Sequence, residues 1–222
     1  MTSLTTFLGL ETPSPPLALC MSRFDRASID PAHNPPGLTY PSYALAERDV
    51  RSANHVQRLA IQAGADVAYV TPDELASQIQ AQSWGSLPST VLFGSRSNAA
   101  SMDFLRHSPI GQLVSFEFAE TWTIRTRDDK TYSVLDPSHL SREEYAASID
   151  YGIVGRAAVS GRSHFIIAGL GGRATEGCGL YLQRNWESLA AQAQHNTFVA
   201  VLRFKPPVDP ANHELVEFIT SH

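Results

Sequence analysis

Lysine, cysteine and long apolar runs are all scarce in this sequence, and each shortage removes a class of protein. Of 17 basic residues only Lys130 and Lys205 are lysine, and 22 acidic residues leave a net charge of −5 with a pI near 5.9. A general nucleic-acid binder usually carries a basic surface that releases phosphate counterions, so this balance argues against nucleic acid as a partner. Two cysteines, Cys20 and Cys178, are too few for a disulfide framework and lack the paired spacing of a zinc site, so reduced thiols are expected. No apolar run approaches the roughly 20 residues that cross a bilayer. The first ten residues carry no Lys or Arg, and Glu11 and several prolines follow, a pattern that does not fit a secretory signal. The expectation is a soluble, cytoplasmic protein with no membrane contact.

What is present is ordinary globular usage: 43% hydrophobic, 18% charged and 9% aromatic residues, with 14 Gly and 14 Pro, which excludes collagen-like, coiled-coil and wholly disordered chains. A length of 222 residues suits a single α/β domain over 1–222, with a strand and a Pro-rich loop in 1–43 and the main sheet with its helices in 44–222. Arginine supplies 15 of the basic residues. GC-rich coding alone produces such a bias, and it also provides planar forks that match phosphate or carboxylate.

Local signals place the elements. Leu17 to Met21 reads as a buried strand, followed by a proline-rich loop through Pro31, Pro35, Pro36 and Pro41 that serves as a cover or a functional segment. Ala46, Val50, Ala53, Val56 and Ala60 recur at helical spacing, with Gly64 as the stop. Asp66 to Val70 reads as a strand, and Thr71-Pro72-Asp73-Glu74 is a capping box that starts a helix running to about Gln82. A strand is expected over 89–93, a helix over 99–107, a meander over 113–135 and a second capping box at Ser141 to Glu144. Strands over 151–159 and 163–168, a helix over 176–193 and a final strand over 197–204 complete the chain. This alternation predicts a Rossmann-like or flavodoxin-like, mostly parallel sheet with helices on both faces and an antiparallel β meander insertion.

Two strand-to-helix junctions could hold an anion. Gly94-Ser95-Arg96-Ser97-Asn98 offers backbone N–H groups, two hydroxyls, an amide and a guanidinium where a helix dipole favours negative charge. Helix capping by Ser97 or Asn98 and a tight turn at Gly94 account for much of the same composition. Residues 169–179 contain five glycines, and Gly169, Gly171, Gly172, Arg173 and Thr175 could form a phosphate-holding nest. The glycines could instead let the helix pack closely on the sheet. The spacing is neither a Walker loop nor a dinucleotide fingerprint. Both junctions are expected at the carboxyl edge of one sheet.

Val91-Leu92-Phe93-Gly94-Ser95-Arg96 is similar to the strand and Gly-Ser opening of the LOG-like (SLOG) Rossmann-type superfamily. Gly171-Gly172-Arg173-Ala174-Thr175-Glu176 resembles a degraded form of its Gly-Gly-x-Gly-Thr-x-x-Glu loop. The resemblance spans residues 89 to 190; Ala174 stands in a glycine position and Glu176 directly follows the threonine. It implies nucleotide binding, and in some members hydrolysis of the N-glycosidic bond of nucleoside monophosphates.

Glu176 is the candidate catalytic acid, since a carboxylate beside a phosphate nest can polarise a ribose or position water; in a first helical turn it also simply complements the dipole. Gly94 to Asn98 departs from a nucleophile elbow, because Asn98 replaces its last glycine. Cys178 near a helix start could be an activated thiolate or a small packing residue. His164 and His195 read as structural or exposed. No His and carboxylate cluster has metal-ligand spacing, and the identity of any cofactor is left open. The expected function is binding of a nucleotide or other phosphorylated small ligand, as a sensor or a nucleotide-processing enzyme. The alternative is a non-catalytic protein–protein interaction module using the 113–135 meander, whose Phe116, Phe118, Trp122 and Ile124 alternate. A homo-oligomer or a protein partner is left open.

Overall fold

The structure, a computed structural model, describes residues 2–10, 15–25, 43–81, 84–207 and 209–221. The proline-rich stretch expected to cover the sheet lies almost wholly in 26–42, outside the described residues. The chain runs through α1 (Leu4–Phe7), β1 (Leu17–Cys20), β2 (Arg23–Asp25), β3 (Tyr43–Leu45), α2 (Glu47–Gln62), β4 (Val67–Val70), α3 (Pro72–Ala81), β5 (Thr90–Phe93) and α4 (Ala99–His107). It continues through β6 (Val114–Phe118), β7 (Thr121–Thr126), β8 (Thr131–Leu135), α5 (Arg142–Ala147), β9 (Asp150–Val159), β10 (Arg162–Gly169), α6 (Gly172–Ala193), β11 (Phe198–Phe204) and β12 (His213–Thr220). No described helix is long and apolar enough to cross a membrane.

Both capping boxes form. Thr71 N–H donates to the Glu74 carboxylate at 2.7 Å while Glu74 N–H donates to Thr71 Oγ1 at 3.2 Å, and Ser141 and Glu144 do the same at the start of α5. These reciprocal bonds satisfy donors that a helix start would otherwise leave open. At the other end of α2, Gly64 takes φ of +73° after the last turn, as its position in the sequence predicts.

The main sheet has seven strands in the order β12-β11-β9-β10-β5-β1-β4. From β4 to β10 the strands are parallel, whereas β9, β11 and β12 continue the sheet in antiparallel pairings. The sheet is therefore mixed, not mostly parallel. The cause is local: Ser160 and Gly161 both have positive φ (51° and 78°), the backbone of a two-residue primed turn, so β9 and β10 close as a hairpin. The meander β6-β7-β8 forms a sheet of its own and does not enter the main one. The short strands β2 and β3, the terminal strand β12 and the helix α1 carry no expectation in the sequence pattern; β12 pairs with β11 through a register shift at Val201/Leu202.

Side-chain alternation along the strands divides the interior in two. Leu19, Phe93, Phe165, Ile167 and Leu202 point to one face, where α1, α2 and α6 supply Phe7, Val56 and Leu182. Cys20, Leu92, Ile166 and Val201 point to the other, covered by Leu75 of α3, Phe104 of α4 and Phe116 and Ile124 of the small sheet. A strand buried on both faces reads as an apolar run, which is why Val91 to Phe93 and Phe165 to Ala168 stand out in the sequence.

The helix after β10 starts at Gly172, not Glu176, so Gly172 is helical along with Gly177 and Gly179, and the turn between strand and helix is only Leu170 and Gly171. A methyl group on Gly179 would overlap Ser52 Oγ of α2, and one on Gly177 would overlap the Phe204 ring. These two glycines let α6 lie close to α2 and to the sheet. At Gly172, by contrast, the nearest atom is the flexible Arg48 Cγ at 3.1 Å. Gly179→Ala is therefore expected to lower unfolding free energy by about 1–3 kcal/mol through overpacking, and Gly172→Ala to change it by less than about 1 kcal/mol because helix propensity offsets any crowding. Urea denaturation of the two variants checks this, and equal effects would contradict the packing role.

Candidate functional site

The order of strands reverses at β1: the chain leaves it to form β4 on one side and later β5 on the other. In open α/β sheets such a reversal leaves a crevice beyond the carboxyl ends of the strands. Here the crevice has a volume of about 570 Å³. Its rim comes from the turns after β5 and β10, and its walls from the first turn of α2, Phe24, Trp122 of β7 and Pro137.

The two glycine-bearing turns, some 75 residues apart in sequence, meet there. Ser95 Oγ donates to the Gly169 carbonyl at 2.8 Å, and Gly94 N–H donates to the Ile167 carbonyl at 2.9 Å. Gly94 has φ of +84°, and a Cβ there would approach Ser22 Oγ to 2.8 Å and the Asp49 carboxylate to 2.9 Å. Only glycine fits both the backbone and the neighbours. Gly94, Ser95, Arg96, Ser97, Gly169, Gly171, Gly172 and Thr175 all line the crevice.

Asn98 does not line it. Its side chain is fully buried as the cap of α4, accepting from Ala100 N–H at 3.1 Å and Ser101 N–H at 3.3 Å while its amide donates to the Phe93 and Cys20 carbonyls. Arg173 and Glu176 also lie outside, in a neighbouring groove. The Glu176 carboxylate is held by Arg48, with Arg51 3.8 Å away, so the carboxylate singled out as a catalytic acid is an ion-pair partner in this conformation.

The phosphate nest expected at the start of α6 is occupied by the protein itself. Asp150, fully buried at the start of β9, accepts from Gly171 N–H at 3.1 Å, from Ala174 N–H, from Tyr151 N–H at 2.8 Å and from the Tyr145 hydroxyl at 2.5 Å. Burial pushes this carboxyl upward and the four donors oppose it. Burial and the adjacent Asp150 carboxylate push the Tyr145 hydroxyl well above its ordinary value, so it remains a donor. A Cβ on Gly171 would overlap Tyr145 and Asp150, so this glycine makes room for an internal anion. Thr175 Oγ1 likewise accepts from Gly169 N–H at 2.9 Å.

The groups left facing the crevice differ from those the glycine pattern suggests. Arg96 stacks over Trp122 with its guanidinium carbon 5.3 Å from the ring centroid, and Ser97 Oγ lies 2.9 Å from the buried Ser22 Oγ behind it. Asp49 is buried in the first turn of α2, with Ser22 N–H 3.4 Å away. Burial holds its carboxyl above the ordinary value, against the Ser22 hydrogen bonds. Sequence inspection passes over Ser22, Arg48 and Asp49 and places Trp122 only in the meander; the one available signal was that Asp49 falls on the apolar stripe of α2, an unusual place for a carboxylate. Cys178 is fully buried and its thiol is pushed well up by burial, which suits a packing residue. Burial likewise depresses His164 to about 4, so it is neutral in the core.

The chain matches no family model, no curated protein and no solved structure.

Removing the buried anion should be costly. Asp150→Ala leaves three backbone donors and the Tyr145 hydroxyl without their acceptor and is expected to destabilise by about 3–5 kcal/mol, whereas Tyr145→Phe removes one donor and costs about 1–2 kcal/mol. Urea midpoints compare them, and equal losses would show that the carboxylate is not the shared acceptor. For Asp49 the sign is opposite. A carboxyl with a raised folded-state pKa binds its proton more tightly when folded, so its contribution falls as pH rises through that pKa. Asp49→Asn should therefore raise Tm at pH 7, with the gain vanishing below about pH 4, where the unfolded carboxyl is itself protonated. Thermal melts from pH 3.5 to 7.5 check the trend.

Proposed function

We propose that the crevice beyond β1, β5 and β10 binds a nucleotide or a closely related phosphorylated small ligand, in a Rossmann-like or flavodoxin-like arrangement. The observation that carries this is the hydrogen bond from Ser95 Oγ to the Gly169 carbonyl, which joins both glycine-bearing turns into one rim at the point of strand reversal. The chemistry of the lining supports the same function. Arg96 and Arg48 supply the cations for a phosphate, and a guanidinium fork binds phosphate oxygens in pairs. Asp49 and Ser97 supply the acceptor and donor that sugar hydroxyls need, with the buried Ser22 behind them. Phe24, Trp122 and Pro137 flank the space with apolar surface suited to a planar base.

Phosphate binding is assigned to these side chains and not to the α6 terminus, because Asp150 already fills that position. The likeness of 91–96 and 171–176 to the LOG-like superfamily agrees with a nucleotide ligand. If the protein also processes its ligand, Asp49 is the buried carboxylate lining the crevice and a better candidate for the acid or base than Glu47, paired with Arg51, or Glu176, paired with Arg48.

The interaction-module alternative draws on the meander, yet Phe116 and Ile124 are buried in the core of this protein and the partly buried Phe118 and Trp122 pack against it. What it retains is an exposed Leu135 on the edge strand β8.

Calorimetry against a panel of nucleoside mono-, di- and triphosphates tests the proposal. Binding is expected in the wild type, with a loss of about tenfold or more in Arg96→Ala, the size of one charge-assisted contact. No heat with any nucleotide, or an Arg96→Ala variant that binds as well as the wild type, would remove it.

A further inference from the structure

Beside the crevice lies a groove of about 740 Å³ between α2 and α6, closed at one end by the turn at Asp209 to Ala211. Its charge is unlike that of the whole chain. Five arginines line it, Arg48, Arg51 and Arg58 from α2 and Arg173 and Arg184 from α6, against the carboxylates of Glu176 and Asp209. In a protein of net charge −5 this is a local concentration of positive charge.

The arginines are placed by helical spacing. Arg48, Arg51, His55 and Arg58 are three, four and three residues apart, which keeps them on one stripe of α2, and ten residues of rise extend that stripe about 15 Å. Arg173 and Arg184 extend the facing wall by a similar length. The two helices cannot separate easily. Gly179 admits Ser52, Ser52 Oγ donates to the Thr175 carbonyl at 3.0 Å, and His55 Nδ1 meets Gln183 Oε1 at 2.7 Å across the groove. Glu176 holds Arg48 and approaches Arg51, but among the described residues Arg58 and Arg184 have no ion-pair partner. Like charges this close repel within a Debye length, and a bound anion would relieve that repulsion.

We infer that this groove binds a linear oligophosphate chain. A single phosphate is too short to engage a stripe of about 15 Å. A nucleic-acid strand would want aromatic platforms for its bases, and the lining has no Phe, Tyr or Trp. The chain has two chemical sources: a free inorganic polyphosphate, or the phosphate tail of a nucleotide whose base sits in the crevice, since Arg48 borders both spaces. Only the second source rests on the function proposed above.

The test is calorimetry of the full chain with tripolyphosphate, inorganic phosphate, a nucleoside monophosphate, its triphosphate and a short oligodeoxynucleotide, repeated for Arg58→Gln/Arg184→Gln and for Arg96→Ala. Tripolyphosphate is expected to bind at least about tenfold more tightly than phosphate and to raise Tm, and the double variant to lose about tenfold or more of that affinity while its own Tm does not fall. The monophosphate, held in the crevice, should be unaffected by the double variant. A triphosphate that binds more tightly than tripolyphosphate and is weakened by both sets of substitutions assigns the chain to a nucleotide; equal affinities assign it to the free polyanion. No binding of tripolyphosphate, binding that the double variant leaves unchanged, or tighter binding of the oligodeoxynucleotide would overturn the inference. Failure of the crevice alone would show as nucleotide binding insensitive to Arg96→Ala with the tripolyphosphate result intact.

Discussion

The position of α6 depends on charges that a single strand, β9, presents to its two ends. Asp150 accepts from the first backbone N–H groups of the helix, and Arg156, six residues later on the same strand, donates to the Gln194 and Asn196 carbonyls just beyond its last turn. A helix carries partial positive charge at its amino end and partial negative charge at its carboxyl end, so each side chain meets the sign that favours it. Both are buried, and a buried charge is tolerated only when hydrogen-bonded and paired with opposite charge or dipole. Desolvation lowers Arg156 to about 10, and its guanidinium also lies over the Phe7 and Phe198 rings, which ties α1 to the same anchor.

This clamp has a consequence for recognition. A glycine turn opening a long helix is ordinarily a place for an external anion, but here the internal carboxylate takes that role and the glycines serve to let it in. In the function proposed above, selectivity for a negatively charged guest would then rest on arginine side chains, Arg96 and Arg48 at the crevice and the stripe on α2 beyond it. Backbone N–H groups are fixed in place, whereas guanidinium groups swing and hold their partners in pairs. A site built from them can admit ligands of different length, and its affinity falls with ionic strength.

The crevice and the groove are linked by the residues of two short stretches. Glu47, Arg48 and Asp49 open α2, and Gly171 to Glu176 open α6. Glu176 bridges them through Arg48. An anion that draws Arg48 away from Glu176 in the groove would therefore also alter the wall of the crevice.

Much of the architecture is legible in the sequence because it follows from local chemistry. The capping boxes at Thr71 and Ser141, the left-handed stop at Gly64, the apolar runs at 91–93 and 165–168 and the three strands of the meander each depend on residues within a few positions of one another, and local rules reach that far. The same short range explains how Ser95 and Gly169 could be expected at one sheet edge: both end a buried strand and precede a helix. What only the tertiary structure decided is what each group faces. Asp150 from a strand filled the nest that the glycines around residue 171 suggested, and Glu176 was drawn to Arg48 and Arg51, more than a hundred residues away. The capture of a dipole by a distant carboxylate, like the alignment of arginines from two helices, leaves no periodicity in the chain. Spacing shows where donors arise, and packing selects the acceptor each one meets.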